Sequence, residues 1–327
     1  MRTQWLKWMG LALLLTACAG QAEAPTQAPT EIPPTLPAPT PTEEPTAMVP
    51  AQIEHIATLD GGDMPFDAPY GIDVGSDGRI YLFDTSNQQV RVFDADGEEV
   101  QSWGEAGADE GQFNSLGFGA LALDPAGNVF VVDNGNFRIQ LFDSEGIFLI
   151  AFGQEGEGSG SFQRAIGIAA DSDGKVYVTD DSIPYVQVFD NDGNFLRQFG
   201  GEGRGDGQFQ HATGISLDEQ GRIYVADFSV KRVQVFSNDG GFLGQWQTGE
   251  QSPFPGTPEG LTVDSQGRIY ATDYTLGKVE VFTNEGDYLA EFGGANLQAP
   301  VDIAISSDGA VYVSDQTTNR VQVFQIH

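Results

Sequence analysis

Residues 165–199 contain, in order, Ala165-Ile-Gly-Ile-Ala-Ala-Asp171, Ser172-Asp-Gly174, Val176-Tyr-Val-Thr179-Asp180, Val186-Gln-Val-Phe189, Asp190-Asn-Asp-Gly193 and Phe195-Leu-Arg-Gln-Phe199. Four short runs of β-branched, apolar and aromatic residues alternate with turn residues, which predicts a meander of four antiparallel strands. The Asp-Gly steps supply positive φ at almost no steric cost, as tight hairpins require. Within Val186-Gln187-Val188 the apolar side chains share one face and Gln takes the other.

The same pattern recurs six times. Its second strand carries Tyr81, Phe130, Tyr177, Tyr224, Tyr270 and Tyr312, at spacings of 49, 47, 47, 46 and 42 residues. An Asp follows three residues later, at 84, 133, 180, 227, 273 and 315. The third strand ends in Phe93, Phe142, Phe189, Phe236, Phe282 and Phe324, with a polar slot at Arg91, Gln140, Gln187, Gln234, Glu280 and Gln322. A period of this length made only of strands marks an all-β, six-bladed β-propeller with four-stranded antiparallel blades. The sixth copy stops at His327, directly after its third strand, which would leave an unpaired edge. Ile53-Glu-His-Ile-Ala-Thr-Leu59 reads like the missing fourth strand, so the N-terminal strand is expected to complete the last blade and close the ring.

With these motifs in hand, the repeats resemble the NHL family over residues 51–327. Copy 2 carries Asp133-Asn-Gly-Asn136-Phe-Arg138-Ile-Gln140, matching the family's Asp, Asn-x-Arg-Val/Ile-Gln run. The Arg position is kept at Arg232 and Arg320, becomes Lys278 in copy 5, and is lost at Gln89 and Tyr185. The family's Gly-rich interblade linker appears as Gly200-Gly-Glu-Gly-Arg-Gly-Asp-Gly-Gln-Phe209. The resemblance implies a propeller scaffold and leaves the partner open, because such scaffolds serve many.

Two further segments precede the repeats. Residues 1–17 hold Arg2 and Lys7 and then an apolar run too short to cross a bilayer, which predicts a secretory signal peptide. Leu15-Thr16-Ala17-Cys18 resembles the lipobox of bacterial lipoproteins, in which the Cys becomes the lipid-bearing N-terminus. Cys18 is the only Cys of the chain, so no internal disulfide is expected. Residues 18–50 are rich in Pro and Thr and predict a disordered tether. The expected location is therefore outside the cytoplasm, anchored to a bacterial cell membrane or outer membrane through Cys18. The 15 Lys+Arg against 47 Asp+Glu give a net charge of −32, and loss of Arg2 and Lys7 makes it −34. That balance opposes nucleic-acid binding.

The chemistry-bearing residues are few. Asp94-Ala-Asp96-Gly97 and Asp190-Asn-Asp192-Gly193 open like calcium loops, but the required Glu six residues on is Trp103 and Phe199. They are read as Asx turns. Of the three His residues, His55 falls on the outer strand and His327 is terminal, so only His211 lies near the channel mouth. No Gly-x-Ser-x-Gly elbow occurs. Glu259 and Asp302 sit at channel-entry positions, without matching Asn ligands. The Phe at 66, 113, 162, 209 and 254 is periodic and assigned to packing. Non-repeating residues on the loop-rich face are Tyr70, Phe118, Phe137, Tyr185, Phe228 and Tyr274, and with His211 they form the candidate binding face. Phe228 and Tyr274 directly follow equivalent Asp residues in adjacent blades, so they are expected side by side at the mouth.

On this reading no cofactor, metal or catalytic group is expected. The chain is expected to be a monomeric, non-catalytic recognition module for a protein, peptide or glycan at the cell envelope. The alternative is a metal-dependent lactonase- or lyase-type enzyme with its site at the channel mouth.

Overall fold

The structure of the protein, a computed structural model, describes residues 52–247 and 256–327. The signal peptide 1–17, Cys18, the tether 18–50 and Phe254 lie outside the described residues. The described residues form six four-stranded antiparallel sheets, each a meander of consecutive strands except the last. Their first strands, Pro69–Val74, Leu121–Leu123, Ala165–Ala170, Ala212–Leu217, Pro258–Val263 and Pro300–Ile305, neighbour one another in a ring around a central channel. Each opens a blade, numbered 1 to 6 in this order.

Blade 6 takes its fourth strand from the other end of the chain. Ile53–Leu59 runs antiparallel to Arg320–Ile326, with Ile53 opposite Ile326 and Leu59 opposite Val321. The N-terminal strand therefore closes the ring, as the sequence predicts, and covers the edge that the short last repeat leaves open.

The core lies between blades. Val176 and Phe189 of blade 3 pack against Phe130-neighbouring Val132 and Ala122 of blade 2, and each of the other five gaps holds an equivalent cluster. A fully buried Val, Ile or Phe in such a gap contributes about 1.5–3 kcal/mol. The periodic Phe residues belong here. Phe66, Phe113, Phe162 and Phe209 are buried, and each ring meets the Phe that ends its blade's third strand at 5.6–5.8 Å between centroids.

Two repeated polar residues hold the linkers that lead to the channel. In blades 2, 3 and 4 the slot glutamine donates to a linker carbonyl and accepts from a linker N–H. Gln187 donates to Ser161 O at 2.7 Å and accepts from Gly160 N at 2.8 Å. The repeated Asp ties the incoming linker to the loop after the second strand. Asp180 accepts from the backbone N–H of Gln163, Arg164, Ser182 and Ile183 at 2.8–3.0 Å. All six of these Asp are buried. Their role is to satisfy backbone donors that a buried linker would otherwise strand.

The inner strands approach closely. A Cβ at Gly260 would lie 2.5 Å from Val301 O of the next blade, so this position needs glycine. The equivalent position in blade 6 is Asp302, whose carboxylate instead accepts from Ile72 N of blade 1 at 3.1 Å. Asp73 repeats the device by accepting from Leu123 N of blade 2 at 2.9 Å. Among the described residues no helix is long and apolar enough to cross a membrane.

Candidate active site at the channel mouth

At the end of the ring where first strands begin and second strands finish, the channel opens into a pocket of about 320 Å³. Two columns of the repeat build it. One is the second residue of the inner strand: Tyr70, Ile166, Thr213, Glu259 and Val301. The other is the residue directly after the repeated Asp: Asp181, Phe228, Tyr274 and Gln316. Phe118, Arg164, His211 and Ser229 complete the lining, so every blade or its linker contributes. A volume of this size suits a small organic molecule.

The floor is apolar and closed. Tyr70, Ile166 and Val301, from blades 1, 3 and 6, pack across the channel with Phe118 against them. The Tyr70 and Phe118 rings meet edge to face at 6.0 Å. Into this floor is set a buried carboxyl group, Glu259, which accepts a hydrogen bond from the Tyr70 hydroxyl at 2.5 Å. Burial pushes the Glu259 carboxyl up to about 7, with repulsion from Asp181 adding to it and the Tyr70 hydrogen bond and Arg164 opposing. Burial, then Glu259 itself, pushes the Tyr70 phenol well above its ordinary value, so it stays a proton donor.

Arg164 and Asp181 stand at one side, joined through both guanidinium and both carboxylate positions, with Nε to Oδ1 at 2.5 Å and a second bond from Nη2 to Oδ2. The Arg164 guanidinium also faces the Phe118 ring, 5.7 Å from its centroid. On the rim, His211 Nδ1 shares a hydrogen bond with Ser229 Oγ. Below the floor, Asp302 is half-buried in the channel wall, and burial with repulsion from Asp73 and Glu259 pushes it up to about 8. Burial raises Asp73 to about 6.

Of the candidate face residues, the pocket gathers Tyr70, Phe118, Phe228, Tyr274 and His211. Phe137 and Tyr185 are not in its lining. They come four and five residues after their Asp, where the chain has already turned outward to the third strand Arg138–Phe142 or Tyr185–Phe189. Nor are the gathered aromatics an exposed patch. Tyr70 is buried and Phe118 and Phe228 are half-buried, leaving Tyr274 exposed at the rim. Ile166, Val301, Arg164, Asp181 and Ser229 escaped the sequence reading. The signal for Asp181 was the column after the repeated Asp, where it and Gln316 stand with Phe228 and Tyr274, and that for Ile166 and Val301 was the second position of the inner strand.

The three histidines do not meet. His55 bonds Gln322 at 2.7 Å on the outer strand, and His327 is exposed near Glu54. Among the described residues no group of three or more His, Cys, Asp or Glu gathers to hold a metal ion. Asp302 and Asp73 turn oxygens to backbone N–H groups of neighbouring blades instead. Among the described residues, these two carboxylates face backbone donors rather than one another.

The chain is a six-bladed β-propeller of NHL-type repeats. A family model described as a 6-bladed beta-propeller matches residues 164–248, and the NHL repeat matches residues 297–324. No curated protein sequence matches the chain. Among solved structures, it is similar to the virginiamycin B lyase from Staphylococcus aureus, with a TM-score of 0.60 and 13% identity over 84% of this chain and 100% of that one. It is also similar to a gluconolactonase from Xanthomonas campestris, with a TM-score of 0.60 and 15% identity over 85% and 97%. A luciferin-regenerating enzyme aligns with a TM-score of 0.60 and 14% identity over 84% and 95%. At such identities the likeness is one of fold.

These neighbours correct the expectation of a non-catalytic recognition module. The rings that this chain resembles carry a lyase, a lactonase and a further enzyme. The physical reason agrees with them. Aromatic residues of the candidate face wall a concave site around a buried carboxyl group that accepts a hydrogen bond.

Proposed function

We propose that the protein is an enzyme of lactonase or lyase type that opens an ester or lactone in the channel-mouth pocket by acid–base chemistry. The observation that carries this reading is Glu259, buried at the pocket floor and hydrogen-bonded by the Tyr70 hydroxyl at 2.5 Å. With its carboxyl raised to about 7, Glu259 is available as a base at neutral pH while retaining proton affinity. In the hydrolytic form it takes a proton from a water whose oxygen attacks the acyl carbon. In the eliminating form it takes the proton from the carbon next to the one bearing the ester oxygen. In both, the carbon–oxygen bond breaks and the leaving oxygen is reprotonated from Glu259. Tyr70 holds the carboxylate in place, and the Arg164 guanidinium supplies positive charge for the developing oxyanion.

The test is a panel of esters and lactones followed by mass spectrometry. For a lactone, a product one water heavier than substrate identifies hydrolysis and an isomeric product identifies elimination; for an open-chain ester, an acid with an alcohol identifies hydrolysis and an acid with an alkene identifies elimination. Glu259→Gln keeps the shape and removes the base, and the expected loss is about 10²–10⁴-fold. An unchanged rate in that variant would remove Glu259 from the mechanism.

We further propose that the ring is exported and held at the envelope by lipid on Cys18, supported by the Leu15-Thr16-Ala17-Cys18 sequence after the charged and apolar leader. Release of the protein from membranes in Cys18→Ala is the expected result.

A further inference from the structure

The mouth pocket has an imbalance of charge among aromatic walls. Its lining holds two carboxyl groups, Glu259 and Asp181, and one guanidinium, Arg164. Arg164 pairs with Asp181 through Nε and Nη2, and among the described residues no cationic side chain bonds Glu259, whose hydrogen-bond partner is the Tyr70 hydroxyl. Directly below, Asp302 and Asp73 have backbone N–H partners and no cation. Burial raises all three carboxyl groups, and carboxylate repulsion adds to the rise at Glu259 and Asp302. Around it stand Tyr70, Phe118, Phe228 and Tyr274. The negative faces of such rings attract cations, most strongly where water is excluded. The pocket already demonstrates the affinity once, because the Arg164 guanidinium rests against Phe118. At longer range the net charge of −32 draws cations and repels anions.

We infer that the pocket takes a substrate carrying a cationic nitrogen of alkylammonium type on an apolar body, with the ammonium seated between the aromatic walls and Glu259. This rests on the mouth pocket being the substrate site. An ammonium needs no partner of matching hydrogen-bond geometry, so rings and one carboxylate suffice.

Binding and turnover are measured separately. The protein is titrated with choline and with neohexyl alcohol, its uncharged isostere, and bound ligand is followed by saturation-transfer NMR. Choline is expected to bind about tenfold or more tighter, with the preference falling as salt is added. In Phe228→Leu, Tyr274→Leu and Glu259→Gln the preference is expected to shrink several-fold, at a wild-type melting temperature. Choline preference without turnover of any ester or lactone leaves this assignment standing and overturns the reaction proposed above. Turnover without preference for the cation overturns the assignment and leaves the reaction standing. Failure of both probes to bind, or a preference indifferent to all three variants, also overturns it.

Discussion

Glu259 and Asp302 show how one residue in a repeat acquires a new task. Both are the carboxylates of columns that hold no other charge: Tyr70, Ile166, Thr213 and Val301 share the Glu259 column, and Gly260 shares that of Asp302. Glu259 meets the pocket and a phenol, whereas Asp302 bridges two blades through Ile72 N and Ile303 N. Their pH behaviour follows from burial. The rate attributable to Glu259 should rise with pH through about 7, because the base is its ionised form. Asp302 gives a stability prediction. Its folded value, about 8, lies above the ordinary carboxylate range, so ionisation destabilises the ring as pH rises through that value. Asp302→Asn retains an acceptor for Ile72 N without the charge. The variant should melt several degrees above wild type at pH 9, with the gap closing as pH falls toward 4, and thermal melts across that range check it. A constant gap would place the effect outside ionisation.

At the scale of the strand, the blades are alike where packing dictates and differ where a linker changes. Gln140, Gln187 and Gln234 clamp their linkers in the same way. In blade 1 the slot holds a buried arginine, Arg91, which donates to Met64 O at 2.6 Å and Gly61 O at 2.9 Å and lies over the Phe66 ring. In blade 5 it holds Glu280, paired with Lys278 at 2.9 Å. The element that decides closure is Ile53–Leu59. Six residues of it pair with Arg320–Ile326, and at about 1 kcal/mol net per hydrogen bond the strand contributes a few kcal/mol before packing is added. A chain beginning at Asp60 should therefore melt about 10 °C or more below one beginning at Ala51. Equal melting of the two would mean that the ring closes without its fourth strand.

For the whole molecule, charge and burial act together. Asp73, Glu259, Glu280 and Asp302 are all raised, to about 6, 7, 7 and 8, each chiefly by burial. The folded state thus binds more protons than the unfolded chain across mildly acidic pH, and its stability falls as pH rises through 6 to 8. On the acid side the turn residues Asp190, Asp239 and Asp308, held below their ordinary value by local hydrogen bonds, turn the curve down again. Self-repulsion at a net −32 adds to the alkaline loss, so added salt should raise the melting temperature more at pH 8 than at pH 5. Calorimetry at two ionic strengths checks this, and a melting temperature that climbs from pH 5 to 8 in low salt would contradict it.

Blade number, strand order and the closing strand were legible along the chain, because turn chemistry and period-two patterning are local and were repeated six times. The interblade role of Phe66, Phe113, Phe162 and Phe209 was legible for the same reason. The site was legible only in part. Tyr70, Phe118, Phe228, Tyr274 and His211 stood out by breaking the repeat, whereas the concave pocket they line did not, since curvature belongs to the closed ring and not to any blade. Glu259 with Tyr70, and Arg164 with Asp181, are separated by 189 and 17 positions and meet across the channel or a loop. Local patterning specifies which residues begin each inner strand. Only closure of six strands around one axis brings those beginnings to a common point and buries a carboxyl group among them, so that a repeated scaffold position becomes part of a pocket.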